Sequence, residues 1–130
     1  MANEILKYDA IVIGSGQGGN PLAAQLAARG EKVALIESDW LGGTCINTGC
    51  TPTKTMVASA QVAHYARSAE RWGVRAERVT VDLPAVLKRK REVVEEFRSG
   101  WSKKFDGKVD VHRARARFIG PKQIAAGERT

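Results

Sequence analysis

Residues 8–13, "YDAIVI", form a short apolar run with β-branched residues, bounded by glycine, the pattern of a strand buried on both faces of a parallel sheet. "GSGQGGNPLAAQLAARG" follows, glycine-rich at first and then rich in alanine and leucine, with Gly30 where a helix is expected to end. A second buried strand, "KVALIE", runs from Lys32 to Glu37. Together they predict a parallel βαβ unit with a right-handed crossover, whose ligand crevice lies at the carboxyl ends of the strands.

Helical spacing then takes over. From Thr53 to about Arg71 the pattern places Met56, Ala60 and Ala63, with Val57 and His64 beside them, on a helix ended near Gly73. Pro84 suits the first turn of a long basic helix with Val86, Val93, Phe97 and Trp101 near one face, and Gly100 weakens its end. "VDVHRARARFI" alternates as a half-exposed strand does, and "GPKQIAAGERT" reads as a turn entering another strand. The predicted fold class is α/β: a parallel βαβ unit, incomplete, with the start of an antiparallel β-hairpin at the C-terminal end.

Composition adds bounds. The 130 residues suit one domain with a real core. No apolar run approaches the ~20 residues that span a bilayer, and the N-terminus lacks a signal-peptide layout, so the expectation is a cytoplasmic protein without a membrane partner. The net charge of +7 comes largely from the second half. A basic surplus fits nucleic-acid binding, but Lys88 and Arg91 each stand four residues before an acid, Glu92 and Glu95, which reads as a solvated helix face. No groove-reading motif or aromatic interleaving accompanies "KRKR". The expectation is therefore no nucleic acid.

Gly14, Gly16 and Gly19 fit G-x-G-x-x-G between a strand and a helix. The first allows a tight turn, the second lets a pyrophosphate approach the backbone, and the third lets helix and strand pack closely. N–H groups and the dipole at the helix start favour the anion. Glu37, about 20 residues on, ends the second strand, where a carboxylate accepts hydrogen bonds from ribose hydroxyls. The pattern predicts dinucleotide binding.

Both cysteines, Cys45 and Cys50, lie in "GGTCINTGCTPTK". A fold staple, a pair of metal ligands and a redox-active pair are the open uses. A cytoplasmic setting disfavours a staple. Zinc wants four ligands, and His64 and His112 stand at spacings unlike a compact finger; both read as ordinary helix and strand residues. A bridge across so small a loop stabilises little and is easily reduced when the turn constrains it. Thr51 as a cap and Pro52 as first helical residue put Cys50 at a helix start with Lys54 in the first turn, and both features stabilise a thiolate. Cys45, outside the helix on the Gly-Gly-Thr loop, reads as the more mobile interchange thiol.

"GGTCINTGCTPTK" closely resembles the active-site signature of the flavoprotein disulfide reductases, the pyridine nucleotide-disulfide oxidoreductase family that includes dihydrolipoamide dehydrogenase, glutathione reductase and mercuric reductase. The similarity extends over the glycine turn, Glu37, Gly42 and Gly43, the helix at Pro52 and the "ARARF" strand. "TPTKTMVASAQVAHYARSAERWGV" is most similar to the mercuric-reductase-related branch. The resemblance implies a Rossmann-like FAD-binding fold. Gly14, Gly16 and Gly19 would cradle the FAD pyrophosphate, Glu37 would hold the adenosine ribose, and Gly43 and Thr44 would meet the flavin's phosphate or ribityl chain. Cys50 would lie next to the isoalloxazine as the charge-transfer thiolate, Lys54 near the ring, and the Ala116 backbone near the adenine. Ala114 stands where the family usually has Gly, and Thr53 where it has Ser.

The resemblance further implies two half-reactions: NAD(P)H reduces FAD, and the flavin opens a Cys45–Cys50 disulfide whose dithiol reduces a small-molecule disulfide or a metal ion. Family members are several times longer, and are expected to add the rest of the FAD domain, an NAD(P)H domain, and an interface domain that makes a homodimer. Residues 1–130 are accordingly read as the N-terminal part of an FAD-binding domain that needs the remainder of the enzyme to be active. The alternative is a non-catalytic nucleotide- or flavin-binding module with regulatory thiols.

Overall fold

The structure, a computed structural model, describes residues 5–127. Residues 1–4, the start of the N-terminal segment, and residues 128–130, the end of "GPKQIAAGERT", lie outside the described residues. The order is β1 (Ala10–Ile13), α1 (Gly19–Ala28), β2 (Val33–Glu37), α2 (Gly43–Asn47), α3 (Cys50–Arg67), α4 (Leu83–Phe105), β3 (Asp110–Arg113), β4 (Ala116–Gly120) and β5 (Gln123–Ala126), with a 3-10 turn at Ala69–Trp72.

The α/β class holds, with a parallel sheet and a separate hairpin. β2 lies between β1 and β3, parallel to both, with Val12 opposite Leu35 and Leu35 opposite Val111. Every residue of β2 is buried. Side chains alternate across a strand, so Val12, Val33 and Leu35 share one face. They form the core with Ala23 of α1, Leu41, Phe105 at the end of α4, and Val109. Ile124 and Ala126 of the β4–β5 hairpin come up beside Ile11, Ala34, Ile36 and His112 on the other face.

Several expectations are corrected. β1 is not buried on both faces: Ile11 and Ile13 are 37% and 47% exposed, because β1 has one neighbouring strand in this sheet. "VDVHRARARFI" is two strands in two sheets. β3 follows β2 to its end, where the Ala114 N–H donates to the Glu37 carbonyl at 3.0 Å; the chain then turns away to pair antiparallel with β5. Alternation alone cannot show that break.

α3 begins at Cys50, so Thr51 and Pro52 lie inside its first turn and Gly49, not Thr51, precedes it. The helix ends at Arg67, and Gly73, in the left-handed region, closes the 3-10 turn beyond. Its inward stripe is Thr55, Ser59, Ala63 and Ala66, whereas Met56 and Val57 are exposed. Small and hydroxyl residues let α4 approach, and Arg89 of α4 donates to the Thr55 carbonyl at 3.0 Å.

On α4, Asp82 accepts from the Ala85 N–H at 3.0 Å as an N-cap, and the helix runs through Gly100 to Phe105. Val94 and Phe105 are its buried residues, while Phe97 is half exposed. Lys88 pairs with Glu92 at 3.7 Å as expected, but Glu95 takes Arg98 at 3.4 Å. Trp101 stacks on Phe105 with ring centroids 5.5 Å apart, closing the core where α4 turns into β3.

Phe105 is the largest fully buried side chain. Phe105→Ala is expected to lower unfolding free energy by about 3–5 kcal/mol, read as a reduced urea midpoint with native secondary structure retained in the absence of urea.

Candidate functional site

The carboxyl ends of β1 and β2 and the start of α1 define the site. Gly14 has φ +91°, a conformation glycine adopts without strain, and its N–H donates to the Ile36 carbonyl at 2.8 Å. At Gly19 an added Cβ would lie 1.9 Å from the Gly14 carbonyl oxygen, so the third glycine seats α1 against the turn. A Cβ on Gly16 would meet nothing within 4 Å, so the turn is open there. No side chain caps α1, which begins at Gly19; in its first turn the Asn20 N–H donates to the Gly16 carbonyl at 3.1 Å and Pro21 has no N–H, so the Gly19 N–H is the one without an intrahelical partner.

Glu37 faces the same turn. Its Oε2 accepts from the Ser15 N–H at 2.8 Å and from the Ser15 hydroxyl at 2.6 Å, and its Oε1 accepts from the Asp39 N–H at 2.9 Å. Burial by itself would raise the Glu37 carboxyl. The bonds from the Ser15 hydroxyl, the Ser15 N–H and the N–H groups of Asp39 and Ser38 outweigh it and hold the carboxyl below its ordinary range.

The cysteine segment packs directly on this turn. A Cβ on Gly43 would stand 2.7 Å from Gly16 Cα, and Gly43 has φ +61°. The Gly42 N–H donates to Ser15 Oγ at 3.1 Å. Asn47 holds the segment's own shape, its Nδ2 reaching the carbonyls of Gly43 at 2.8 Å, Leu41 at 3.1 Å and Trp40 at 3.2 Å. Arg98 of α4 donates to Asn47 Oδ1 and lays its guanidinium 4.4 Å from the Trp40 ring centroid.

Both cysteines are free thiols. Cys45 is not on a mobile loop: it lies in α2, and it is the less exposed of the two. Gly42 and Gly43 turn the chain so tightly that "GTCIN" closes a helical turn over buried Ile46. Cys50 is the first residue of α3 and is exposed. The Cys45 thiol is pushed up, first by its side-chain hydrogen bond to Cys50, then by burial and the charge of Cys50. A backbone bond at Cys50 and the positive charge of Lys54 act in the other direction.

An open groove of about 430 Å³ runs along the sulfurs, lined by Gln17 from the glycine turn, Cys45, Cys50 and Lys54, with Val93, Phe97 and Trp101 of α4 as an apolar wall. These three α4 residues, read from the sequence as lying near one face of the helix, line this groove. Thr44 is exposed on α2. Ala116 opens β4 opposite Ala126, two residues past the Ala114 contact with Glu37, so the "ARARF" segment does pass the end of β2. Ala114 takes no left-handed conformation; among the described residues Lys122 is the one non-glycine residue with positive φ. The missing family glycine therefore strains nothing.

The structure thus brings Gly14, Gly16, Gly19, Glu37 and Gly43 to one turn and Cys45, Cys50 and Lys54 to the adjoining groove. Sequence reasoning missed Ser15, Asn47, Arg98 and Trp40, since a serine between glycines or an asparagine between cysteines carries no periodic signal. His64 and His112 lie elsewhere, His112 in a 3.0 Å hydrogen bond with Tyr8. Among the described residues no three of His, Cys, Asp and Glu gather as metal ligands, and no helix is long and apolar enough to cross a membrane.

A glycine turn on a parallel βαβ unit, with a two-thiol helix start seated against it, defines a dinucleotide-binding domain of the disulfide-reductase type. Residues 8–130 match the pyridine nucleotide-disulphide oxidoreductase family, and the chain belongs to it. It is 37% identical over 116 residues to a dihydrolipoyl dehydrogenase of Bacillus subtilis, covering 88% of this chain and 24% of that protein. It is 38% identical over 124 residues to the dihydrolipoyl dehydrogenase of Thermus scotoductus, covering 95% and 27%. A solved structure, the Cu(II) complex of the HOCl-induced flavoprotein disulfide reductase RclA from Escherichia coli, superposes with a TM-score of 0.70 at 34% identity, covering 91% of this chain and 24% of that one. The chain spans about a quarter of the length of these relatives.

The residues fit the diphosphate and ribose of FAD. Gly16 leaves open the space a Cβ would take, and the start of α1 is uncapped. The Ser15 hydroxyl and the N–H groups of Ser15, Asp39 and Ser38 already engage the roughly four acceptor positions of the Glu37 carboxylate, so a ribose hydroxyl there would share an oxygen with one of these donors.

The depressed Glu37 pKa sets a sign. The stability from its hydrogen bonds is fully present above the ordinary carboxyl value of 4.5 and is lost as pH falls through the lowered folded value. Thermal melts of the chain are expected to drop in midpoint as pH is taken below 4.5, and Glu37→Gln is expected to flatten that acid limb while lowering the midpoint at neutral pH.

Proposed function

We propose that residues 1–130 are the FAD-binding, redox-thiol portion of an NAD(P)H-dependent flavoprotein disulfide or metal-ion reductase, the N-terminal part of its FAD domain. The observation that carries this reading is the contact of Gly43 with Gly16, which fixes the diphosphate turn and the sulfurs on one frame.

When bound, FAD supplies two-electron chemistry, with reduced nicotinamide as the electron source. The chain's own residues do the rest. The glycine turn and the start of α1 hold the diphosphate, Glu37 takes a ribose hydroxyl, and the Ala116 backbone lies on the adenine side. Cys50, on α3, would be the sulfur facing the flavin, and Cys45, whose thiol is pushed up first by its hydrogen bond to Cys50, would be the sulfur that meets substrate. Oxidation of the pair to a disulfide releases two electrons and two protons; reduction reverses it. Lys54 offers a positive charge beside both sulfurs, and Phe97 and Trp101 offer an apolar wall to an incoming small disulfide.

A metal ion is the second substrate class, favoured by the Cu(II) complex of RclA and by the family resemblance to mercuric reductases. Such an ion would meet two thiols, with no third ligand among the described residues. The intact enzyme is proposed to be a homodimer.

Dithionite titration of the full chain with FAD tests the reading. The expected result is uptake of about two electrons per flavin beyond the flavin's own, lost in Cys50→Ala. Failure of this chain, joined to the remainder of the FAD domain, to hold FAD would defeat the proposal. FAD held beside thiols that take no electrons would establish instead a flavin-binding module with regulatory cysteines.

A further inference from the structure

Ser15 occupies the variable position between the first two glycines of the turn, and it is completely buried. A buried hydroxyl must satisfy one donor and up to two acceptor sites. Here the donor goes to Glu37 Oε2 at 2.6 Å, and the oxygen accepts from the Gly42 N–H at 3.1 Å. The Ser15 N–H joins in, donating to the same Oε2 at 2.8 Å. One side chain therefore touches both the carboxylate at the end of β2 and the backbone that enters the cysteine segment.

We infer that Ser15 is a positioning residue that couples the ribose-binding carboxylate to the cysteine segment, so that the occupancy and charge of Glu37 are felt at Gly42 and Gly43. The inference rests on the proposed FAD site for its functional meaning, and on three hydrogen bonds for its geometry. An ionised Glu37 is an acceptor only, which fixes the direction of the Ser15 O–H; the Ser15 lone pair is then turned to Gly42. A protonated carboxyl would lose acceptor capacity at Oε2. The Ser15 side chain, no longer held by a full anion, would be freed to leave its rotamer and carry Oγ away from the Gly42 N–H. Among the described residues, Ser15 bonds both Glu37 and the Gly42 N–H.

The test needs no turnover. In the purified full chain, carbon-13 NMR of the Glu37 side chain gives its titration midpoint, and hydrogen exchange gives the protection of the Gly42 amide. Ser15→Ala is expected to raise the Glu37 midpoint by about one pH unit, the size of one charge-assisted hydrogen bond. It is also expected to speed Gly42 exchange at least about tenfold, the equivalent of one lost bond. Ser15→Thr, which keeps the hydroxyl, is expected to preserve both, and it carries the test if the alanine variant does not fold. In wild type, Gly42 exchange is expected to rise as pH falls through the Glu37 midpoint, after correction for the intrinsic pH dependence of exchange.

An unmoved Glu37 midpoint in Ser15→Ala, or a Gly42 amide indifferent to Glu37 protonation, would overturn the coupling. FAD titration of the same variants separates the two readings. A chain that binds no FAD yet shows both shifts keeps the coupling and loses the proposed site, whereas tight FAD binding with neither shift does the reverse.

Discussion

Two backbones meet where the second glycine of the turn faces the second glycine of the cysteine segment, and the site depends on that approach. With 2.7 Å between Gly16 Cα and the place a Gly43 Cβ would occupy, any side chain at Gly43 forces the segments apart. Backbone atoms in such an approach cannot yield as the end of a flexible side chain can, and overpacking costs about 1–3 kcal/mol. The approach sets where α2 begins, hence where Cys45 points, and through the next tight turn where α3 presents Cys50. Local glycine geometry thus fixes the distance between an anion-binding turn and a pair of thiols.

The parts of the fold that follow a period were legible in the sequence. β2 and α1 obey simple patterns because β2 is central and α1 packs along one stripe. β1 carried the same apolar signal as β2, but a run of apolar residues cannot say whether a strand has one neighbour or two. The division of "VDVHRARARFI" between two sheets was equally hidden, since the Ala114 N–H leaves the alternation intact while changing its partner strand. On α3 the inward stripe is made of threonine, serine and alanine, which hydropathy reads as neutral; helix proximity, with α4 close enough for Arg89 to reach the Thr55 carbonyl, decided that face.

The site was legible in its glycines, its cysteines and Glu37, residue types whose spacing has a chemical reason. What the spacing could not reveal is the polar scaffolding that fixes them. Ser15, Asn47 and Arg98 act through hydrogen bonds to side chains and backbone, several of them in other segments, and such bonds depend on which loops fold together. The basic surplus has a related lesson. Arg89 is used on the α3 backbone, Arg98 on Asn47 and Trp40, and Arg113 on the Asp39 carbonyl, with its guanidinium 5.9 Å from the Trp40 ring. Part of the positive charge is structural, which weakens the case for a nucleic-acid surface beyond the missing motif.

Charge is handled differently at the two ends of the site. At Glu37 the anion is stabilised by fixed donors, the Ser15 hydroxyl and the backbone N–H groups of Ser15, Asp39 and Ser38, so its ionisation needs no counter-ion and survives burial. At the thiols, opposing influences fall on Cys45: its bond to Cys50 and burial favour the proton, and Lys54 opposes them. Rigid donors keep the Glu37 charge on burial, whereas at Cys45 the bond to Cys50 and burial outweigh the positive charge of Lys54. Ser15 stands at the junction of the two arrangements, bonded both to Glu37 and to the Gly42 N–H where the cysteine segment begins.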